Sequence, residues 1–374
     1  MVKLHFSSKR FSLIKIFVLR GFSGFLPVII AFILPLITDV EFGSRYFQKF
    51  SQAIILSSVL KLGLDQTILK FTSSYNELKN LLLLVFISHL VVFLVFVFVG
   101  FEFKIVVYGA FFISINSVIS AFYLTNDFKI RAVVYQFILP NVLILGLSAL
   151  RINPILVVSV AYGSILTTLF TREFINSSFE VANDLLIKQF VDNLPLIGYN
   201  VLGVLVMNAP IALSHYYITD SEVISLYKML KIFSLSSFIS MIIIFTFNND
   251  LRNLKSTANY FRYVRNYTPI IVLLFFGVMG LTHYGIVPYS FSLLSLFMCS
   301  IILYFVMAGN VAGHYIILKS FDITLFKIML FTLSITLTLL IVLNDFSVLY
   351  LFGFYAITTF VESVLKIKFL WKHR

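Results

Sequence analysis

The chain has 374 residues, of which 60% are hydrophobic and only 12% are charged, and its formal net charge at pH 7 is +12. So few charges cannot keep a soluble surface in water, whereas this apolar majority is enough for roughly a dozen membrane spans of ~20 residues. The connections left over are too short for a soluble catalytic domain, a nucleic-acid-binding module or a disulfide-stapled ectodomain, and the single cysteine, Cys299, excludes an internal disulfide.

Apolar runs bounded by charged or turn residues predict twelve transmembrane helices. In the first half they are Leu19–Thr38, Tyr46–Leu62, Leu81–Gly100, Ile105–Leu124, Ala132–Leu150 and Pro154–Thr171. In the second half they are Phe190–Leu213, Val223–Phe247, Pro269–Gly285, Phe291–Ile317, Leu325–Leu343 and Phe346–Ile367. The first run has no small-residue cleavage site, so we interpret it as a helix and not as a cleavable signal.

The distribution of basic residues orients these spans. With the amino terminus inside, 21 of the 28 Lys and Arg residues fall on the inner side. Only four fall on the outer side, namely Arg45, Lys49, Lys104 and Arg151. This asymmetry favours twelve crossings with both termini cytoplasmic, because Lys and Arg collect in cytoplasmic loops. The net charge therefore reflects topology and does not indicate a nucleic-acid partner.

The long hydrophilic stretch Arg172–Gln189 falls between the sixth and seventh spans. It suggests two lobes of six helices, residues 1–180 and 181–374, as in many transporters built from repeated halves. The predicted fold is therefore an all-α polytopic membrane protein with about twelve transmembrane helices in two six-helix lobes around a central cavity.

Basic residues inside spans are functional candidates, because a charge near the centre of a helix costs at least ~2.5–3.5 kcal/mol there. Lys228 and Lys231 share one face of the eighth span, and Ser234 and Ser237 extend this polar stripe. If the helix begins near Val223, Lys231 lies ~12 Å along it. The pair then lines a water-filled cavity; if the helix begins later, both lysines snorkel to the outer surface.

Three further residues give the first two spans polar character. Arg20 either faces the cavity from the inner leaflet or marks the cytoplasmic edge of the first span. Lys49 lies near the outer edge of the second span, where it either joins the cationic lining or snorkels. Gln52 lies deeper and indicates a face turned away from lipid.

The seventh span carries Asn200 and Asn208 together with Pro195 and Pro210. A Pro-interrupted helix with amides is typical of a polar cavity wall, and interhelical hydrogen bonding is the alternative for each Asn. Asp192 and Glu362 lie toward cytoplasmic ends, which favours salt-bridge or snorkelling roles over proton coupling.

The sequence contains no catalytic constellation, metal-binding spacing or Gly-rich phosphate loop, so we predict neither an enzyme nor a cofactor. His89 and His314 are isolated in sequence, which favours packed or interfacial positions for both.

Two groups of short motifs resemble a known family. The first runs from Phe42-Gly43 through the second span to Gly63-Leu64-Asp65 and Leu69-Lys70-Phe71. The second comprises Leu194-Pro195-Leu196, Ser221-Glu222-Val223 and Leu226-Tyr227-Lys228, and Gly309-Asn310 fits more loosely. In these motifs the chain resembles the polysaccharide (O-antigen) flippases of the multidrug/oligosaccharidyl-lipid/polysaccharide exporter superfamily.

The resemblance implies two lobes around a hydrophilic cavity in a bacterial inner membrane. It implies transport of polyprenyl-pyrophosphate-linked oligosaccharide, an O-antigen or capsule repeat unit used in lipopolysaccharide or other polysaccharide biosynthesis, from the cytoplasmic to the outer leaflet by alternating access. Other polysaccharide-assembly membrane proteins are then expected partners. By position, Arg20, Lys49, Lys228 and Lys231 are the residues that would supply a cationic cavity for the pyrophosphate.

Two alternatives remain open from the sequence. A cation-coupled drug exporter of the same superfamily would need a buried carboxylate, whereas the charges deep in these spans are positive. An integral-membrane polysaccharide polymerase would need a large outer loop for chemistry, whereas the predicted outer loops are short.

Overall fold

The computed structural model of the protein is helical wherever its regular structure is described. The described residues are 2–65, 68, 74–96, 101–126, 128–170, 172–177, 191–192, 194–234, 240, 293–319, 321–343 and 347–372. Within these ranges there is no β-strand. The ninth predicted span, Pro269–Gly285, and most of the eighth after Ser234 lie outside them.

The described residues include thirteen α-helices. In the first half they are α1 (Val2–Ile37), α2 (Val40–Leu60), α3 (Tyr75–Phe96), α4 (Phe101–Thr125), α5 (Lys129–Val133), α6 (Leu139–Ser148), α7 (Pro154–Gly163) and α8 (Arg172–Asn176). In the second half they are α9 (Leu194–Ala212), α10 (residues 220–234), α11 (Leu293–Leu318), α12 (Asp322–Leu343) and α13 (Val348–Lys372).

Six helical segments among the described residues are long and apolar enough to cross a membrane. They are Tyr75–Val95, Val106–Thr125, Ile130–Ser148, Leu194–Ala212, Ile301–Leu318 and Val348–Lys372. Phe22–Ile37 and Pro154–Leu169 are shorter apolar helices. The protein is therefore an all-helical, multi-pass membrane protein. The full count of twelve spans, the two lobes and the orientation of the termini stay predictions.

The helices form two compact units. The amino-terminal unit comprises Ile14–Ile224, and the carboxy-terminal unit comprises the described part of Ser225–Arg374 with the start of the chain up to Leu13. In the amino-terminal unit α2 packs on α4 and α9, and α4 also packs on α3 and α7. In the carboxy-terminal unit α13 packs on α11 and α12. The predicted boundary at residue 180 falls outside the described residues.

Side chains fix where two of the helices begin. Asp39 caps α2, because its Oδ1 accepts a hydrogen bond of 2.7 Å from the Phe42 backbone N–H. Ser74 and Glu77 form a reciprocal pair at the start of α3, with Ser74 N donating to Glu77 Oε2 at 2.7 Å and Glu77 N donating to Ser74 Oγ at 3.2 Å. These bonds satisfy N–H groups that have no partner within the helix.

The fifth predicted span is irregular, and Pro140 explains why. Between α5 and α6 the chain makes a π-helical turn, Val134–Ile138, in which the Leu139 N–H reaches back to the Val134 carbonyl. By the same spacing the Tyr135 carbonyl would need a donor at Pro140, which has no N–H. The buried amide of Asn116 on α4 supplies one, because its Nδ2 donates to Tyr135 O at 2.9 Å and also to Tyr162 O at 3.3 Å. Asn116 thereby joins three spans of the amino-terminal unit.

Candidate functional site

The start of α10 is fixed by a hydrogen-bonded cap. Thr219 accepts the Val223 N–H on its backbone carbonyl at 2.9 Å, and its own N–H and hydroxyl both donate to Glu222 Oε2 at 2.8 Å. The backbone bond, followed by the hydroxyl bond, lowers the pKa of Glu222 from its ordinary value. A carboxylate in the first helical turn is also favoured by the helix dipole. The helix therefore begins at residue 220, earlier than the Val223 assumed from the sequence.

This start places the two lysines of α10 farther along the helix than expected. At 1.5 Å per residue, Lys228 lies about 12 Å and Lys231 about 17 Å beyond the first helical residue. Both side chains are half-buried. The alternative that α10 begins later, which would let both lysines snorkel outward, is not what the structure has. The Ser234 hydroxyl donates to Lys231 O at 2.8 Å, and Ser237 lies outside the described residues.

The Lys231 ammonium lies over an aromatic ring. Its Nζ is 4.8 Å from the centroid of Tyr227, one turn earlier on α10, and Tyr227 is buried. A cation over a ring gains about 0.5–1 kcal/mol when exposed and about 2 kcal/mol or more when desolvated. The ring thus holds the ammonium in place without neutralising its charge, so Lys231 keeps its attraction for an anion.

A second Tyr–Lys pair has the same spacing in a different setting. Lys319 Nζ lies 5.6 Å from the ring centroid of Tyr315. Lys319, however, is exposed and directly follows the end of α11. The two pairs therefore share their local chemistry and differ in position, which makes Lys319 a matched control for Lys231.

The polar candidates of the second and seventh spans lie on two helices that pack together in the amino-terminal unit. Gln52 on α2 is half-buried and donates through Nε2 to the Ala212 carbonyl at the end of α9, at 3.1 Å. Asn208 lies one turn before Ala212 and bonds its own helix, from Nδ2 to Val204 O at 2.9 Å. The amide nitrogen of Asn200 is buried and has no hydrogen-bond partner among the described residues. Gln52 therefore joins two spans, and Asn200 keeps an unused donor.

The other two cationic candidates are Lys49 and Arg20, on the first two helices of the chain. Lys49 lies on α2, one residue beyond the buried Gln48, and is half-buried. Arg20 lies within the uninterrupted helix α1, and its side chain is outside the described residues. α1 runs unbroken from Val2 to Ile37 through Arg20, and both interpretations of Arg20 stay predictions. The lysines of α10 belong to the carboxy-terminal unit, and the residues of α2 and α9 to the other.

The sequence reasoning missed the most deeply buried charged side chain among the described residues. Lys366 on α13 is 1% exposed, and its Nζ lies 2.6 Å from Glu362 Oε1, one turn earlier. The sequence placed Lys366 on the inner side and expected a salt-bridge or snorkelling role for Glu362; the structure has the ion pair. The i,i+4 spacing of opposite charges inside an apolar run was the signal that could have identified it.

Two glycines of α11 lie against α13 at this level: Gly313 lies against Lys366, and Gly309 lies against Ser363 beside the ion pair. A Cβ added to Gly313 would lie 3.2 Å from Lys366 Nζ and 3.3 Å from its Cε. A Cβ on Gly309 would lie 2.5 Å from the Cα of Ser363. Gly309 and Gly313 are four residues apart, the small-xxx-small spacing that lets membrane helices approach closely.

The Gly63-Leu64-Asp65 motif forms a structural turn. After α2 ends, Gly63 adopts φ +65°, and a Cβ there would lie 2.1 Å from Cγ1 of Ile197 on α9. Asp65 Oδ2 accepts from Lys61 Nζ at 2.6 Å and from the Ser117 hydroxyl on α4 at 2.9 Å. The motif therefore ends the second span and ties it to two other helices.

His89 is a packed residue, in agreement with the sequence interpretation. Its Nδ1 lies 2.7 Å from the Val85 carbonyl, which can only accept, so Nδ1 carries the proton. Its Nε2 lies 3.2 Å from Ser114 Oγ, which in turn donates to Ser57 Oγ at 3.0 Å. The network joins α2, α3 and α4 in the amino-terminal unit.

Neither a metal site in the described ranges nor a match to a known family indicates the function. In the described ranges no three His, Cys, Asp or Glu side chains come together in a way that could hold a metal ion. No known protein family matches the chain, and no curated protein matches it significantly.

Proposed function

We propose that this protein moves a polyprenyl-pyrophosphate-linked oligosaccharide from the cytoplasmic to the outer leaflet of a bacterial inner membrane. The observation that carries the proposal is the position of Lys231, a half-buried ammonium about 17 Å along α10 and held over a tyrosine ring. Buried charge is costly and needs a reason, and an anionic headgroup that must leave water supplies one.

The chemistry of the substrate fits such a cation. A pyrophosphate in a low-dielectric path needs charge-assisted hydrogen bonds, while a polyprenyl tail can stay in lipid. Lys228 adds a second positive charge on the same helical face, three residues earlier. Lys49 and Arg20, which belong to the amino-terminal unit, stay candidates for cationic contacts with the substrate, and Gln52, Asn200 and Asn208 stay candidates for polar contacts.

The drug-exporter alternative is less well supported by the charges. Such a protein would need a carboxylate available to a cationic substrate within its spans. The carboxylate of Glu362 in α13 is ion-paired with Lys366 at 2.6 Å, so its charge is already compensated. A polymerase would need a chemical constellation, and the described residues of α10 offer binding groups only.

The proposal is tested by replacing Lys231 in the producing bacterium. We expect Lys231→Ala to reduce surface polysaccharide at least tenfold at unchanged protein level in the membrane, because the headgroup loses its deepest cation. Lys319→Ala, which removes the exposed lysine of the second Tyr–Lys pair, should leave surface polysaccharide at the wild-type level. Normal polysaccharide in Lys231→Ala cells would refute the proposal. Lipid-linked repeat units should accumulate inside Lys231→Ala cells; polymerised glycan accumulating there instead would also contradict it.

A further inference from the structure

The ion pair of α13 is unusual because a whole lysine side chain is buried to make it. Lys366 is 1% exposed and the Glu362 side chain is 10% exposed, and their charged atoms are 2.6 Å apart. Taking two charges out of water carries a penalty of several kcal/mol per ion, which the attraction offsets only when the geometry is good. A buried ion pair therefore does not by itself indicate that the two residues serve stability, and we look for another role.

The glycines of α11 provide space for the ammonium. Gly313 lies against Nζ, Cε and Cδ of Lys366, with distances of 3.2–3.5 Å from an added Cβ. Because Gly309 has no Cβ, the backbone of α13 can approach α11 closely at Ser363. The neighbouring Ala308 and Ala312 are also small and buried. A small-residue surface on one helix and a carboxylate on the other thus enclose one compact positive group.

We propose that Glu362 and the glycine surface of α11 form a monovalent-cation site, and that the Lys366 ammonium occupies it as a covalently attached ion. A carboxylate in a low-dielectric interior needs a counter-charge, and a small free cation would supply the same charge at the same place. The tether makes the occupancy permanent. This inference is independent of the transported substrate.

The permanent occupant has a consequence for ion dependence. In the wild-type protein the site is filled at every salt composition, so neither its stability nor its activity depends on Na⁺ at this position. Removing the tethered ammonium should expose the carboxylate and create a requirement for a free cation. A gain of ion dependence on removing a lysine is not expected of a lysine that serves packing alone.

The test is the salt dependence of thermal unfolding for purified Lys366→Ala. We expect its unfolding midpoint to rise with NaCl concentration by about 2 °C per tenfold increase, relative to choline chloride at equal ionic strength, because a ligand that binds only the folded state stabilises it. Methylammonium chloride, a free copy of the lost group, should act like NaCl. The wild type and Lys368→Ala, which removes an exposed lysine of the same helix, should respond equally to NaCl and choline chloride.

The double variant Lys366→Ala with Glu362→Gln isolates the carboxylate, and it should show no specific response to Na⁺ or methylammonium. Folded Lys366→Ala with the same midpoint in all three salts would overturn the proposal. If Lys366→Ala folds only when expressed and purified with NaCl or methylammonium, the proposal is supported. If neither Lys366→Ala nor Lys366→Gln folds in any of these salts, free cations do not replace the ammonium and the proposal is wrong.

Discussion

Two ion pairs with the same local geometry stand in different parts of the molecule. Lys61–Asp65 and Lys366–Glu362 both have i,i+4 spacing, and both have an N–O distance of 2.6 Å. The Lys61 side chain is 18% exposed and follows the end of α2, with the Ser117 hydroxyl as a further partner of Asp65. The Lys366 side chain is 1% exposed within α13. The two pairs therefore share their distance and their spacing and differ in the burial of the lysine, so burial should determine how differently they contribute to stability.

The largest effect is expected on breaking the deeper pair. Glu362→Ala leaves a buried ammonium without its 2.6 Å partner, which should cost about 3–5 kcal/mol in the free energy of unfolding. The double variant Glu362→Leu with Lys366→Met replaces both charges by apolar groups and should recover most of this loss. Denaturation midpoints of the purified variants in detergent measure both. A double variant as unstable as Glu362→Ala would show that the charge is not the cause.

The glycine of α11 that packs against Ser363, beside the deeper pair, should matter almost as much. Gly309→Ala places a Cβ 2.5 Å from the Cα of Ser363, and backbone atoms cannot rotate away as a side chain can. We expect a loss of about 2–3 kcal/mol, the upper part of the range for overpacking. Gly353→Ala on α13 is the matched control, because an added Cβ there meets nothing within 4 Å. Equal thermal midpoints for the two variants would contradict the close approach of α11 and α13.

Breaking the shallower pair should cost less. Asp65→Ala removes the partner of Lys61 and of the Ser117 hydroxyl, but Lys61 can turn toward water because it is partly exposed. We expect about 1–2 kcal/mol, within the range for an unsatisfied hydrogen-bonding group. The same denaturation measurement checks it. A loss as large as that of Glu362→Ala would mean that burial does not separate the two pairs.

The sequence predicted the class of fold from physical causes that are local. Apolar runs such as the one in α3 identify a span because every backbone polar group must be satisfied within the helix in lipid. The cap at Thr219 is local as well, since Thr219 and Glu222 have the spacing of a capping box, although the sequence analysis did not use this signal and assumed a helix start near Val223. These features require no knowledge of what lies elsewhere in the chain.

The parts that sequence reasoning missed depend on distant partners. Gly63 is required beside Ile197, which is far along the chain, and Lys366 is buried because Gly313 on another helix leaves room. Charge counting assigned Lys366 to the inner side because a lysine near the end of an apolar run usually snorkels. The role of Asn116 arises in the same way, since it supplies the donor that Pro140 lacks.

The smallest expected effect concerns the cap of α10 and depends on pH. Because hydrogen bonds from Thr219 lower the pKa of folded Glu222, its contribution is complete above the ordinary value of 4.5 and is lost as pH falls through the lowered folded value. Glu222→Gln should therefore lower the thermal midpoint slightly at pH 7, and the difference from the wild type should shrink as the pH falls below 4.5. A difference that grows on acidification would contradict this sign.

The central claim is that Lys231 carries the anionic headgroup, and lipid translocation in vesicles tests it most directly. Purified wild type, Lys231→Ala and Lys319→Ala are reconstituted with a fluorescent polyprenyl-pyrophosphate oligosaccharide, and a membrane-impermeant quencher reports the fraction that changes leaflet. We predict rapid translocation by the wild type and by Lys319→Ala, and a rate at least tenfold lower for Lys231→Ala. Equal rates for Lys231→Ala and Lys319→Ala, or no translocation above protein-free vesicles by the wild type, would contradict the account.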